Sequence, residues 1–177
     1  VANSAGTFFY PESWFEMVRP GLALYGINPN PNGRRYPLEP VLSLKARITF
    51  LNRVPVGTSL GYNRTYATGK KSVIATVPVG YSDGWSRLLS NRGRVIVRDR
   101  FARIVGSIRM DSTLIDVTDV PGVSVGDEVI LIGAKGGLSI SAEDIAELTQ
   151  TVSYEVLCRI GKRVPRMYVR SKGKANS

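Results

Sequence analysis

Histidine is absent from all 177 residues of the sequence, and cysteine occurs once, as Cys158. Without histidine, the Ser-His-Asp and Cys-His nucleophile systems are excluded, and so is every zinc site that depends on a histidine ligand. Any proton transfer must therefore come from Tyr, Lys, Asp, Glu or Cys. A single cysteine also excludes an internal disulfide and favours a cytosolic location.

The sequence also lacks a long hydrophobic run. The longest one, at 73–81, is interrupted by Thr76, Pro78 and Gly80, whereas a membrane-spanning helix needs about 18 consecutive apolar residues. The first residues, VANS, contain no basic-then-apolar leader and resemble the interior of a longer chain. We therefore expect a cytoplasmic protein without membrane contact, and a fragment of a longer polypeptide.

Acidic residues are too few to balance the basic ones, since 14 Asp and Glu stand against 24 Lys and Arg, a formal net charge of +10. Much of the excess follows Glu155, where basic residues continue with no acid among them. A basic tail is usually a solvated end or a phosphate contact. Strands that interleave basic and aromatic residues for base stacking are absent. No nucleic-acid partner is expected, and binding that falls steeply with salt would be the sign of one.

Residues 1–36 differ from the rest of the chain. Residues 11–17 predict a short helix with Pro11 near its start. The apolar run at 21–26, bounded by glycines, is typical of a buried strand, and a helix followed by a buried strand indicates an α/β unit. The turn formers at 28–33 indicate a linker. We therefore predict one domain at 1–36 and a second, mostly β domain at 37–177.

The second domain has the pattern of a β-barrel or sandwich. Alternation over 41–54 predicts a strand with Leu44, Ala46, Ile48 and Phe50 on one face. Further strands are predicted at 71–80, 94–98, 102–105, 113–117, 128–133 and, as a final edge strand, 164–169. One helix interrupts them. It begins after the N-cap Ser141 and continues to residue 160, with a break at 149–152.

A first candidate for chemistry is GYNRTY at 61–66, a loop tip between two strands. Composition alone favours the ordinary interpretation, exposed aromatics on a hairpin. The alternative is a tyrosine that transfers a proton. Because a phenol ordinarily keeps its proton to about pH 10, Tyr62 would then need a neighbouring cation, and Arg64 is close in sequence.

Three other segments contain residues suited to a site. GYSDGW at 80–85 predicts a tight turn that presents Tyr81 and Asp83. The segment GSIRMD at 106–111, taken alone, predicts a turn with Met110 in the core. RPGL at 19–22 combines backbone amides beside a glycine with the upstream hydroxyl of Ser4, and such groups suit a phosphate.

Taken in order, these segments resemble alanine racemase. The resemblance runs from ANSA at 2–5 through MVRPGLALYG at 17–26 and the segments just described, and ends with SYEVLCRI at 153–160 and RVPR at 163–166. It implies that 1–36 is the last part of a (β/α)8 barrel and that 37–177 is the β domain that follows it. It also implies pyridoxal phosphate as cofactor and a head-to-tail homodimer, in which the partner's β domain completes the site at the barrel mouth.

In this family two bases on opposite faces of the bound alanine exchange its α-proton, a Schiff-base lysine and a tyrosine. The resemblance assigns the tyrosine to Tyr62, which would act in the partner subunit. It assigns Arg19 to the pyridine nitrogen of the cofactor. The remaining assignments concern the cofactor phosphate, which would be held by Ser4, Tyr154 and the backbone of Gly21 and Leu22.

The substrate would meet three further residues. The resemblance implies that Met110 offers its backbone N–H to the substrate carboxylate, and that Tyr81 and Arg87 line the approach to the site. No metal is expected.

The lysine, an arginine near the cofactor phenolate and a histidine that contacts the tyrosine lie upstream in the family. We therefore expect part of a racemase that interconverts L- and D-alanine for peptidoglycan, inactive as an isolated chain. One alternative is a non-catalytic β module for dimerisation or regulation. Another is a serine racemase, because the residues that choose between alanine and serine are mostly upstream.

Overall fold

The computed structural model describes residues 1–29, 33–34 and 36–169. Within 1–29, short strands and helices alternate, and the two strands pair in parallel with Ala2 opposite Val18. The elements are β1 (Ala2–Asn3), α1 (Ser4–Phe9), a 3-10 turn (Pro11–Ser13), β2 (Val18–Arg19) and α2 (Gly21–Leu24). A parallel pair with a helix between its strands is a β/α arrangement. The boundary near residue 36 stays a prediction.

The apolar run at 21–26 begins with a helical turn, so its prediction as a strand was wrong. The amides of Leu24 and Tyr25 donate to the carbonyl oxygens of Pro20 and Leu22. Leu22 is buried and Leu24 is exposed. A short apolar run does not by itself distinguish a strand from a helical turn, and here the packing of Leu22 decides.

Antiparallel strands dominate the chain from residue 44 to residue 140. Their residues are rich in Val, Ile and other β-branched side chains, which suit a pleated, half-buried surface. The strands are β3 (Leu44–Arg47), β4 (Phe50–Val54), β5 (Ser59–Leu60), β6 (Tyr66–Ala67), β7 (Ser72–Val77), β8 (Arg94–Val97), β9 (Arg100–Ile104), β10 (Thr113–Asp116), β11 (Glu128–Lys135) and β12 (Leu138–Ile140). The strands predicted within 71–133 are confirmed. β12 had no predicted counterpart.

The main sheet closes through the bent segment that joins β3 and β4. Its strand order is β12-β11-β8-β9-β10-β7-β4, and β3 pairs with β11. The bend lies at Ile48 and Thr49, whose amides donate to Asp127 and Thr76. The expectation of one strand with Phe50 on the inner face was wrong, because the bend turns Phe50 outward and leaves it 58% exposed. The predicted mainly β, barrel-like fold is confirmed.

Two apolar clusters hold the barrel and the hairpin beside it. The interior is filled by side chains that are almost fully buried, among them Ala75, Val95, Ile115 and Val129. A smaller cluster lies outside it, formed by Val54, Ile74 and Val105 with Leu60, Tyr66 and Leu114 packed on them. Because Leu60 and Tyr66 belong to β5 and β6, this second cluster anchors the hairpin that carries Tyr62.

Two short helices follow the barrel, α3 (Ala142–Leu148) and α4 (Ser153–Arg159). The predicted N-cap is confirmed, because the Ser141 hydroxyl accepts from the Asp144 amide and the Asp144 carboxylate accepts from the Ser141 amide. This reciprocal pair is a capping box, which stabilises the first turn. The predicted break between the helices is also confirmed.

Two other local predictions were wrong. The helix expected at 11–17 is only a 3-10 turn. The segment at 164–169 is not a strand, and Met167, Tyr168 and Val169 are exposed. Only Val164 of this segment packs against the main core, and Pro165 has no amide to donate to a strand ladder. None of the helices in the described ranges is long and apolar enough to cross a membrane.

Two carboxylates at the start of β11 have lowered pKa values. Hydrogen bonding by Arg98 lowers the pKa of Asp127 below its ordinary value of 3.8. Hydrogen bonding by Lys45, with a second contribution from Lys135, lowers the pKa of Glu128 below 4.5. A carboxyl whose pKa is lower in the folded state than in the unfolded state stabilises the fold at pH values above its unfolded-state pKa. That stability is lost as the pH falls through the folded-state pKa.

We therefore expect a free energy of unfolding that is level above about pH 5 and declines below about pH 4. Urea unfolding at a series of pH values measures it. The double variant Asp127→Asn with Glu128→Gln should have a shallower decline, because it cannot bind those two protons. An equal decline in the double variant would show that other carboxyls cause the acid sensitivity.

Candidate active site

An open cleft of about 660 Å³ lies where the β5–β6 hairpin meets two loops of the barrel. It brings together four residues that the sequence analysis selected from three separate segments, Tyr62, Tyr81, Arg87 and Met110. The other residues that line it are Ser107, Ile108, Arg109, Asp111 and Ser112. The cleft therefore combines a phenol, cations and an irregular loop within reach of one small molecule.

The hairpin presents Tyr62 at its tip. Asn63 and Arg64 adopt positive φ angles of 61° and 51°, a left-handed conformation that reverses the chain tightly. The side chain of Tyr62 is 66% exposed. Its phenol is therefore available to a molecule in the cleft or on a docked surface, and no part of it is needed to fill the core.

Close backbone contact fixes this hairpin to the loop after β9. A Cβ atom added to Gly61 would lie 2.8 Å from the Ser107 amide nitrogen, so only glycine allows the approach. The Ser107 hydroxyl bonds to the Tyr62 carbonyl oxygen at 3.4 Å and lies 3.3 Å from the Thr65 hydroxyl. The position of Tyr62 is thus set by the barrel as well as by its own turn.

The cation beside Tyr62 is Arg109 rather than Arg64, the expected neighbour in sequence. Its guanidinium carbon lies 5.3 Å from the centroid of the Tyr62 ring, within the range of a cation–π interaction. The only available signal was its place next to Met110. Within the described residues, Arg64 forms no cation–π pair with the Tyr62 ring.

The turn at 80–85 holds the Met110 loop in place. The amide of Tyr81 donates to the carbonyl oxygen of Arg109 at 3.0 Å, and the Ser82 amide donates to the carbonyl oxygen of Met110 at 2.9 Å. The Ser82 hydroxyl donates to the same oxygen at 2.7 Å. A Cβ atom on Gly80 would lie 2.3 Å from the Arg109 carbonyl oxygen. The glycine is therefore required for the two backbones to meet.

Asp83 is buried and stabilises this turn by hydrogen bonds. The prediction that the turn exposes Asp83 to a ligand was therefore wrong. Its carboxylate is buried and accepts from the Gly80 amide at 2.9 Å and from Arg163 Nε at 2.6 Å. The hydrogen bond from Arg163 to Asp83 raises the pKa of that guanidinium above its ordinary value. Tyr81, in contrast, is 47% exposed and lines the cleft.

Met110 lies at the surface of the cleft rather than in the core, so the interpretation of its segment by itself was wrong. Its side chain is 60% exposed. Its carbonyl oxygen is taken by Ser82, whereas its amide donates to no acceptor within the described part of the chain. A backbone amide that lacks an acceptor can donate a hydrogen bond to an anionic oxygen of a ligand.

A second group of predicted residues lies in the N-terminal segment, away from the cleft. Ser4 is buried, and its hydroxyl accepts from the Ala23 amide at 3.1 Å. Arg19 is exposed and donates to the Val1 carbonyl oxygen at 3.4 Å. Ser4 and α2, which contains Gly21 and Leu22, are therefore in direct contact, as a joint phosphate site would require.

The local chemistry of this segment fits a phosphate. A Cβ atom added to Gly21 would meet nothing within 4 Å, so the space beside its backbone is open. The Ser4 hydroxyl keeps its own proton to donate, because the Ala23 amide occupies it only as an acceptor. Tyr154 lies on α4, is 45% exposed, and makes no hydrogen bond to this group among the described residues.

The chain is similar to known proteins over nearly its whole length. The family model of the alanine racemase C-terminal domain matches residues 41–168, and that of the alanine racemase N-terminal domain matches residues 1–29. A relative from Halothermothrix orenii named alanine racemase is 51% identical over 168 residues, which are 94% of this chain and 44% of the relative. The chain thus spans less than half the length of the curated relatives it matches.

Solved structures give the same result. The structure of alanine racemase from Bacillus anthracis with bound L-Ala-P superposes with a TM-score of 0.89 at 38% identity, over 96% of this chain and 44% of that one. The structure of alanine racemase from Bartonella henselae with covalently bound pyridoxal phosphate superposes with a TM-score of 0.85 at 37% identity, over 95% of this chain and 46% of that one.

Proposed function

Since this chain belongs to the alanine racemase family, we propose that it forms part of a pyridoxal-phosphate-dependent isomerase that interconverts L- and D-alanine. The observation that carries the proposal is the cleft, in which Tyr62, Tyr81, Arg87 and Met110 meet although three separate segments supply them. D-alanine made in this way would serve peptidoglycan synthesis in the cytoplasm.

The N-terminal segment would hold the cofactor. Ser4 and the backbone amides of Gly21 and Leu22 would donate hydrogen bonds to its phosphate, with Tyr154 as a further ligand. The open space beside Gly21 and the free proton of the Ser4 hydroxyl support this role. Arg19 would face the pyridine nitrogen, and because a guanidinium does not release its proton, that nitrogen would stay unprotonated. When bound, pyridoxal phosphate withdraws electrons from the amino acid and so acidifies its α-proton.

Tyr62 would carry the proton on one face of the substrate. A phenol that is exposed at the tip of a fixed hairpin is suited to act on a surface supplied by another subunit. We propose a head-to-tail homodimer through the β domain, in which Tyr62 enters the partner's site and the Met110 amide receives the substrate carboxylate. Tyr81 and Arg87 would line the approach.

Two alternatives differ from this proposal in a measurable way. A non-catalytic β module would dimerise or regulate without contributing a base. A serine racemase would use the same bases on a larger substrate. The choice between the two amino acids rests on the names of the relatives alone.

The chain by itself should not racemise alanine. It contains no histidine to contact Tyr62, and the lysine base of the family has no counterpart in the matched segments. A coupled assay of D-alanine formation, with pyridoxal phosphate added to the 177-residue chain, should give no turnover above the cofactor alone. Addition of the barrel half of a relative as a second polypeptide should restore it. Turnover by the chain alone, or none after addition, would reject the proposal.

A further inference from the structure

The guanidinium of Arg109 contacts the Tyr62 ring but makes no hydrogen bond or ion pair within the described structure. Its Nε atom is shielded from solvent and has no hydrogen-bond partner. A buried donor that lacks an acceptor costs free energy. Two other arginines of the described residues have carboxylate acceptors. Arg163 pairs with Asp83, and Arg98 pairs with Asp127.

The neighbours of Arg109 define where its missing partner would lie. The guanidinium packs over the ring of Tyr62, with 5.3 Å between its carbon and the ring centroid. Both residues line the cleft, and the next residue, Met110, has an amide without an acceptor in the described part of the chain. A cation and an amide N–H therefore border the same small volume, and both can donate to an anionic oxygen.

The other charged residues of the cleft do not meet this requirement. Arg87 also lines the cleft, but its side chain is exposed, so water satisfies its donors. Asp111 lines the cleft with a negative charge that would repel an anion, yet it also acts on Arg163 and contributes to raising the pKa of that guanidinium. Arg109 is thus the cation of the cleft whose hydrogen-bond acceptor would come from a ligand.

We propose that Arg109 is a carboxylate-binding residue of the cleft. Its guanidinium and the Met110 amide together bind the carboxylate of a small amino acid, while the face of the same guanidinium holds the Tyr62 ring beside that carboxylate. The identification of this carboxylate as that of the racemase substrate rests on the proposed function. The ability of the cleft to bind a small monocarboxylate does not depend on that function.

Propionate tests the inference, because it has the carboxylate and carbon skeleton of alanine but no amino group. In the 15N-labelled 177-residue chain, propionate should shift the Met110 amide and the Arg109 Nε–H resonances together in a saturable titration. Propionamide, which has the same shape without the charge, should not. In Arg109→Gln the dissociation constant should rise about tenfold or more, the loss expected for a charge-assisted hydrogen bond.

Two further variants make the result specific. Arg109→Lys keeps the charge but loses the planar pair of donors, so it should bind propionate with intermediate strength. If Arg109→Gln does not fold, this variant tests the inference in its place. Arg103→Gln is the matched control, because Arg103 is an exposed arginine on β9 that does not line the cleft. It should bind propionate as the unaltered chain does.

Equal affinity of the folded Arg109→Gln variant and the unaltered chain would overturn the inference, and so would equal binding of propionamide and propionate. The proposed function fails separately. If propionate binds through Arg109 but no racemisation appears after addition of a barrel half, the carboxylate site stands and the racemase proposal is rejected.

Discussion

Tyr62→Phe is expected to lower kcat for alanine racemisation by about 10²- to 10⁴-fold in the racemase assembled with this chain, the usual contribution of a positioned acid or base. The change removes only the phenol oxygen. The ring is 66% exposed and packs with Arg109 through its face, so neither folding nor that contact depends on the hydroxyl. KM should change little, because substrate contacts assigned to Met110 remain. Initial rates in both directions measure the effect.

The matched control is Tyr66→Phe, which removes a phenol oxygen from the same hairpin. Tyr66 packs on the small cluster of Val54, Ile74 and Val105 and does not line the cleft. Its loss should leave kcat unchanged. In deuterium oxide, Tyr62→Phe should still exchange the α-proton of one enantiomer, because the base on the opposite face remains, but should not invert it. Inversion at the rate of the unaltered enzyme would exclude Tyr62 as a base.

Gly80→Ala is expected to lower the free energy of unfolding by about 3 kcal/mol, at the upper end of the cost of overpacking. A Cβ atom at this position would lie 2.3 Å from the Arg109 carbonyl oxygen and 2.4 Å from that of Met110. Both obstacles are backbone atoms, which cannot rotate away as a side chain would. The turn and the Met110 loop must therefore separate, and the hydrogen bonds from Tyr81 and Ser82 lengthen. Urea unfolding measures the loss.

Gly69→Ala gives the reference for this comparison. Gly69 does not have a positive φ, and a Cβ atom there would meet nothing within 4 Å. Alanine at that position should leave stability within about 0.5 kcal/mol of the unaltered chain. Gly80→Ala should also weaken propionate binding, because the Met110 amide and Arg109 belong to the displaced loop. Equal stability of the two variants would show that the loops separate without cost.

The local elements that could be predicted are those with a strong local cause. Alternating β-branched residues identified the strands within 71–133, and the capping pair of Ser141 and Asp144 identified the start of α3. The failures occurred where local patterns were ambiguous. The run at 21–26 is apolar in any conformation, and Phe50 continues an alternation that a bend interrupts.

The candidate site divides in the same way. Its residue types and their order along the chain indicated a racemase, and Tyr62, Tyr81, Arg87 and Met110 do line one cleft. The burial of Asp83 and its contact with Arg163, 80 residues away, could not be predicted. The cation nearest in sequence to Tyr62 is Arg64, whereas the one that packs on its ring is Arg109.

The amino-acid sequence alone determined the mainly β character of these 177 residues, the absence of any histidine base or ligand among them and their membership in the family. These properties depend on residue type and on spacing along the chain. The three-dimensional structure alone decided which charges are neutralised and which are left for a ligand. That outcome depends on contacts between loops far apart in sequence, and the close approach of Gly80 to the carbonyl groups of Arg109 and Met110 is one that holds the Met110 loop in place.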